Sequence, residues 1–311
     1  MDDLNQTSPD SFILLGLSDV PYLQVICFLV FLLMYIATLS GNLLLIIVMR
    51  INPKLHSPMY FFLSNLSVID ICFSSSIVPV ILINTLARDR SISRLGCATQ
   101  TFISVGLGAA ESIMLAVMAY DRFAAICKPL YYITIMNKKL CFCVAVGCWS
   151  GCFINSGIQV ALTFQLPFCR SHHINHFFCE VPTLLRLSCR DTRLNEIGVY
   201  ISVVIITVSS FLLTLISYVH IISSILKIHY TQGRYKAFST CASHLIVVTL
   251  FYGTASVIYL RLKSSYSHKS DKIVSILYTT VTPMLNPFIY SVRNKDVIET
   301  IMNNLSRKQN L

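Results

Sequence analysis

Hydrophobic residues run along this chain in long, nearly unbroken blocks instead of alternating with polar ones. Seven such blocks, at about 23–49, 57–85, 97–125, 140–164, 196–226, 237–260 and 272–291, are separated by shorter polar segments. At 1.5 Å of rise per residue, roughly 20 apolar residues carry a helix across ~30 Å of bilayer hydrocarbon. Each block therefore predicts a membrane-spanning helix. A membrane β-barrel would need many short segments of alternating character, and these runs are continuous. The expected fold is an all-α membrane protein, a seven-transmembrane helix bundle followed by a short amphipathic helix. The expected organisation is one domain, with a leading tail at 1–22, the bundle at 23–291 and a closing tail at 292–311.

Composition agrees: 55% of the 311 residues are hydrophobic, 12% are charged, and the mean hydropathy is +0.68. The net charge of +10 is scattered over both expected membrane faces, so it predicts lipid headgroups as its partner and not nucleic acid. The first residues, MDDLNQTSPD, carry acids and no Lys or Arg, the reverse of a cleavable signal peptide. The first helix is expected to act as its own targeting signal. Arg50 and Lys54 follow that helix and no basic residue precedes it, which places the N-terminus outside the cell. Asn5, in the sequon Asn5-Gln6-Thr7, is then an expected glycosylation site, while the sequons at Asn65 and Asn304 fall in a helix and in the cytosolic tail.

Of 12 cysteines, Cys97, Cys169, Cys179 and Cys189 fall on the oxidising side, an even number that allows three pairings. A bridge from Cys97 into the long loop before the fifth helix would fold that loop over the mouth of the bundle. His172, His173, His176 and Cys179 also have spacings that suit zinc or copper, unless Cys179 is already oxidised. No phosphate-cradling GxxxxGK[ST], GxSxG or HExxH is present, so an enzyme is not expected. A secondary transporter would share the hydropathy but tends to show repeated halves with broken helices, and no such repeat is evident.

Several blocks then occur together in order: Gly41-Asn42, LHSPMYFFLSNLS at 55–67, MAYDRFAAIC at 118–127, Ser217-Tyr218, KAFSTCASHL at 236–245 and PMLNPFIYSVRN at 283–294. With them the chain resembles the rhodopsin-like G-protein-coupled receptors and, within them, the odorant receptors of the larger tetrapod-type class. The resemblance implies disulfides Cys97–Cys179 and Cys169–Cys189. It implies that Asp121 holds Arg122 at rest and releases it toward a G protein when the sixth helix swings outward. Phe123 stands where the family more often has Tyr. Tyr218 and Tyr290 resemble the two tyrosines that meet through water in the active state, and Asn286 and Pro287 belong to the same block as Tyr290. Pro287 removes a backbone hydrogen bond and so favours a bend. Lys236, Ser239 and His244 are expected at the G-protein-facing end of the sixth helix.

Asp70 and Glu111 are the acids well inside predicted spans, where an unpartnered carboxylate is costly. The family implies a sodium ion there as the one expected cofactor, and a shared proton is the alternative. For the ligand, Ser104, Val105, Gly108 and Ala109 share a face of the third helix with no charge on it, and Tyr252 and Tyr259 lie seven apart on the sixth. By family analogy Ser202, Ile206, Ala255, Ser256 and Thr279 complete a small, mostly apolar pocket for a volatile odorant. Arg261 and Lys263 stand near its mouth. The resemblance further implies a stimulatory olfactory G protein that raises cyclic AMP, trafficking chaperones, and a place in the plasma membrane of olfactory cilia. The closing tail holds no Cys, so no palmitoyl anchor is expected on it.

Overall fold

The computed structural model describes residues 11–17, 20–87, 90–169, 171–227, 230–259, 268–292 and 299–300. Long helices dominate: α1 (Pro21–Ile51), α2 (Pro58–Leu86), α3 (Arg94–Cys127), the one-turn α4 (Tyr132–Ile135), α5 (Lys138–Phe164) and the short α6 (Val181–Leu185). A fifth span consists of α7 (Arg193–Val203), a π turn (Val204–Val208) and α8 (Ser209–Leu226). The sixth is α9 (Thr231–Tyr259), and the seventh joins α10 (His268–Ile276), a π turn (Leu277–Val281) and α11 (Thr282–Val292).

Six of these segments are long and apolar enough to cross a membrane, and α9 contributes a shorter apolar stretch, Cys241–Val257. The sixth helix thus begins before the expected limit of 237, because its first two turns carry Gln232, Arg234 and Lys236 and add length without hydropathy.

Local sequence explains where the helices start. Pro21 and Pro58 sit in the first turns of α1 and α2, where a missing N–H leaves no hydrogen bond unmade. Ser93 caps α3 by accepting from the Gly96 amide at 3.0 Å, and Asn137 caps α5 by accepting from the Leu140 amide at 2.8 Å. Within the seventh span the Thr282 hydroxyl donates to the Leu277 carbonyl, five residues back, inside the wider π turn.

The interior is organised around α3, which packs on α2, α5, α8 and α9 and is the most buried of the spans. Leu, Ile, Val and Phe left exposed on α1, α5 and α8 form the outer surface of the bundle, as helices bathed in lipid require. Gly41 makes one close approach possible: a Cβ there would lie 2.9 Å from Pro287 Cγ, so α1 and α11 meet across a bare backbone. Next to it the Asn42 amide donates to the Pro283 carbonyl at 3.1 Å.

One end of the bundle is capped by a feature the hydropathy pattern does not predict. Residues of the leading tail form β1 (Ser11–Leu14), the central strand of a small sheet, antiparallel to β2 (Ser91–Ser93) and parallel to β3 (His173–Ile174). Phe12 and Leu14 are fully buried beneath it. Gly16 then turns the chain at φ +68°, and its carbonyl receives Lys272 Nζ at 2.7 Å. Beyond the seventh span, Glu299 and Thr300 are helical, and Asn52 donates to the Thr300 hydroxyl at 2.6 Å. The remainder of the expected amphipathic helix, and Asn5, lie outside the described residues.

Candidate functional site

Below the sheet the helices part around a cavity of about 180 Å³. Ser104, Val105, Gly108 and Ala109 of α3 form one wall, Asn155 and Gln159 of α5 and Ser202 and Ile206 of the fifth span form the next, and Phe251, Thr254 and Ala255 of α9 close the far side. The π turn at Val204–Val208 presents Ile206 and Thr207 to the space, a frequent use of such turns. The Ser202 hydroxyl donates to Asn155 Oδ1 at 2.9 Å and pins the fifth span to α5.

Three residues expected in this pocket lie elsewhere. Tyr252 is a turn deeper than Ala255: its hydroxyl donates to the Ser112 carbonyl at 3.1 Å, tying α9 to α3 beneath the cavity. Ser256 follows Ala255 by one residue, about 100° around the helix, so it faces outward and donates to the Tyr252 carbonyl. Thr279 is fully buried in the second π turn, donating to the Ser275 carbonyl. The side chain of Tyr259, together with Arg261 and Lys263, lies outside the described residues.

The roof is the long loop. Cys97 and Cys179 form one disulfide and Cys169 and Cys189 another. Gln100 reinforces the first, accepting from the Cys179 amide at 2.9 Å and donating to the Ser76 carbonyl of α2 at 2.9 Å. With Cys179 oxidised there is no thiolate for a zinc or copper site. His172 and His173 are exposed, His176 is buried, and among the described residues no cluster of three His, Cys, Asp or Glu stands together.

Cys179 carries Glu180 into the cavity wall, where Glu180 Oε1 accepts from the Tyr278 hydroxyl at 3.2 Å. Burial, aided by the charge of Asp271, lifts this carboxyl to about 7 against the opposing effects of Tyr278 and Arg186. His176 Nε2 is 3.9 Å from Glu180 Oε2, but burial and the Lys272 charge depress the imidazole to about 3, so near neutral pH this is no ion pair. The sequence places a Cys beside this acid, and a disulfide over a pocket was the only hint that Glu180 faces inward.

Deeper between α2, α3 and α11 lie the two buried acids. Asn286 Nδ2 donates to both Asp70 oxygens, at 3.2 and 3.0 Å, and the Glu111 charge acts on Asp70. Glu111 Oε1, Ser74 Oγ and Asn286 Oδ1 are buried without a hydrogen-bond partner. Uncommitted oxygens beside two carboxyls suit a small hard cation. Glu111 also belongs to the cavity wall, which joins the acid pair to the pocket.

At the opposite end of the bundle Asp121 is wholly buried with both oxygens engaged. Arg122 Nη2 lies 2.7 Å and Nε 3.2 Å from Oδ2, and the Tyr132 hydroxyl of α4 donates to Oδ1 at 2.8 Å. Burial and the Asp121 charge push the Tyr132 phenol upward, keeping it a donor. Nearby, Tyr218 and His244 share a 2.7 Å hydrogen bond, and His244 Nε2 lies 3.1 Å from the Leu115 carbonyl. A carbonyl only accepts, so Nε2 carries the proton, Nδ1 accepts, and Tyr218 donates. This relay ties α8 and α9 to α3. The Tyr290 hydroxyl is buried and unpartnered, and so does not meet Tyr218 directly in this conformation. Pro287 lies inside α11. The side chains of Lys236 and Ser239 are outside the described residues.

Comparison with known proteins bears on this arrangement as a whole. A family model described as olfactory receptor matches residues 31–308. Olfactory receptor 5A1 of Homo sapiens is 50% identical over 305 residues, spanning 98% of this chain and 97% of that protein. Olfactory receptor 5AP2 of Mus musculus is 49% identical, over 96% of this chain and 94% of its own length. Olfactory receptor-like protein OLF3 of Canis lupus familiaris is 48% identical, over 94% and 92%. The chain belongs to the olfactory receptor family, odorant-sensing G-protein-coupled receptors that pass the membrane several times and signal without catalysing a reaction.

Proposed function

We propose that this chain is a plasma-membrane receptor for small, mostly apolar volatile molecules, which bind in the cavity beneath the disulfide-held loop and drive a stimulatory olfactory G protein to raise cyclic AMP. The observation that carries the reading is that cavity: about 180 Å³, walled largely by apolar side chains, in a chain of this family. An apolar cavity of about 150 Å³ is enough to take benzene, so the space suits a volatile-sized guest. Ser104, Val105, Gly108, Ala109, Ser202, Ile206 and Ala255 are the expected contacts.

In this account the sheet end faces outside and the Asp121–Arg122 end faces the cytosol. Ligand binding shifts the equilibrium only by the difference in its affinity for the two states. The contacts of Arg122 with Asp121, and of His244 with Tyr218 and Leu115, hold the resting arrangement, and outward motion of α9 opens the G-protein surface. Asp70 and Glu111 share one positive charge, supplied by a sodium ion or a proton, because two bare buried carboxylates are too costly. Ser74 and Asn286 complete the set that would hold a sodium ion, which when bound would offset one of the two negative charges and favour the resting state. One seven-helix domain, reaching olfactory cilia with the help of trafficking chaperones, completes the reading.

The test is cyclic AMP in cells expressing the chain with the olfactory stimulatory G protein and challenged by a chemically broad odorant panel. A dose-dependent rise supports the proposal. Silence from a receptor shown to reach the surface counts against odorant sensing or this coupling partner.

A further inference from the structure

The floor of the cavity is not apolar. It is Glu111 of α3, only 4% exposed, with Oε1 bonded to nothing. One turn closer to the roof, on the same face of α3, stands Gly108, where a Cβ would meet no heavy atom within 4 Å. The absent side chain leaves an open shaft down to the carboxyl. Two neighbouring hydroxyls have already given their hydrogens: that of Ser104 to the Thr101 carbonyl and, across the space, that of Thr254 to the Leu250 carbonyl. Among the described residues the charged members of the wall are Glu111 and Glu180, with no Lys, Arg or His beside them in the lining.

We propose that Gly108 and Glu111 form a deep subsite of the odorant cavity that receives the hydroxyl or amine head of a small ligand, with the Glu111 carboxyl as acceptor. The proposal rests on the odorant-sensing reading and adds to it a ligand class and a specificity-determining residue. A donor head satisfies Glu111 Oε1, which has no hydrogen-bond partner here, and an ammonium head would itself supply the positive charge that the acid pair otherwise takes from a sodium ion or a proton. A carboxylate head faces two carboxyls with no basic side chain in the described lining, so acids are disfavoured. An ether or ketone has no hydrogen to donate to Glu111 Oε1. Because the Glu111 charge acts on Asp70, which Asn286 holds, a head group seated on Glu111 is coupled electrostatically to the acid pair between α2, α3 and α11. The apolar body of the ligand then lies upward, between Val105, Ile206 and Phe251.

The experiment uses volatile compounds of common carbon skeletons, each ending in an alcohol, a primary amine, a methyl ether, a ketone or a carboxylic acid. Cyclic AMP is read on the full chain, on Gly108→Leu and on Glu111→Gln, all at matched surface level. Gly108→Ala is a milder variant, since its methyl enters free space. Alcohols and amines are expected to activate and acids to be silent. Gly108→Leu should weaken the activating compounds by roughly tenfold or more, the loss of about one hydrogen bond to a charged group. Gly108→Ala should do so to a smaller degree. Glu111→Gln should weaken amines more than alcohols, because the amide oxygen still accepts but no longer carries charge. Activation confined to ethers, ketones or acids overturns the subsite and leaves odorant sensing intact. So do alcohol or amine potencies that Gly108→Leu leaves unmoved. Silence to every class at full surface level overturns the subsite and the odorant reading together.

Discussion

Gly41→Ala, set against Gly147→Ala, isolates the cost of one contact. In Gly41→Ala the new Cβ would sit 2.9 Å from Pro287 Cγ and 3.3 Å from its Cβ, whereas at Gly147 nothing lies within 4 Å. Both substitutions gain the same helix propensity, roughly 1 kcal/mol, so the difference between them isolates packing. A proline ring inside a helix cannot swing aside as a long flexible chain would. Overpacking of this kind typically costs about 1–3 kcal/mol. That corresponds to about 2–4 °C of apparent Tm for each kcal/mol in a sizeable chain. The strain is not confined to stability, because Pro287 follows Asn286, whose amide holds Asp70, and neighbours the Asn42 bond to Pro283. Melting of the purified receptor, followed by intrinsic fluorescence in detergent, should place Gly41→Ala several degrees below Gly147→Ala. Equal melting temperatures would refute the close packing of α1 on α11.

Other expectations follow from the same geometry. Cys97→Ser, Cys179→Ser and the double variant should lower thermal stability alike, by about 2–5 kcal/mol, with the double no worse than either single; additive losses measured by the same melting assay would contradict the bond. Asp121→Asn weakens a charge-assisted bond to Arg122 to a neutral one, a loss of roughly 1–2 kcal/mol, and should raise ligand-independent cyclic AMP severalfold per surface receptor; an unchanged basal level would argue against a restraining role. Glu180, lifted to about 7, should keep its proton into the neutral range, so an infrared carboxylic-acid band absent from Glu180→Gln should fade with a midpoint near that pH. The sign follows: a raised carboxyl favours the folded loop fully below its ordinary range, and that contribution is lost as pH rises toward about 7. A band already gone at mildly acid pH would show the loop to be more open to water than it is here.

The spans were legible because hydropathy is summed over some twenty residues, so a few misjudged positions do not move a helix. Their limits differ from the observed ones mainly at α9, where cytosolic charges continue the helix without adding hydropathy. β1 was not legible. Four residues in a polar tail gain their pairing from loops about 80 and 160 positions away, which no local period records. In the cavity, helical spacing groups Ser104, Val105, Gly108 and Ala109, which line one wall, while spacing on the sixth helix points Tyr252 at the pocket although its hydroxyl meets α3 a turn below. Periodicity reports which residues share a face and not the depth at which that face opens. That Glu111 borders the ligand cavity is not legible in the sequence, since it depends on the open space at Gly108 that joins the two. Asn155 and Gln159, a polar pair one turn apart in an apolar helix, carried a readable signal of an inward face.

The central claim is that a ligand in the outer cavity is read out through Arg122 at the far end of the bundle. The decisive measurement is the cyclic AMP dose–response to an activating odorant in the full chain and in Arg122→Glu, at equal surface level and with the odorant's binding followed in parallel. The account predicts that binding persists while the response disappears. A response retained in Arg122→Glu, at unchanged potency and amplitude, would contradict it.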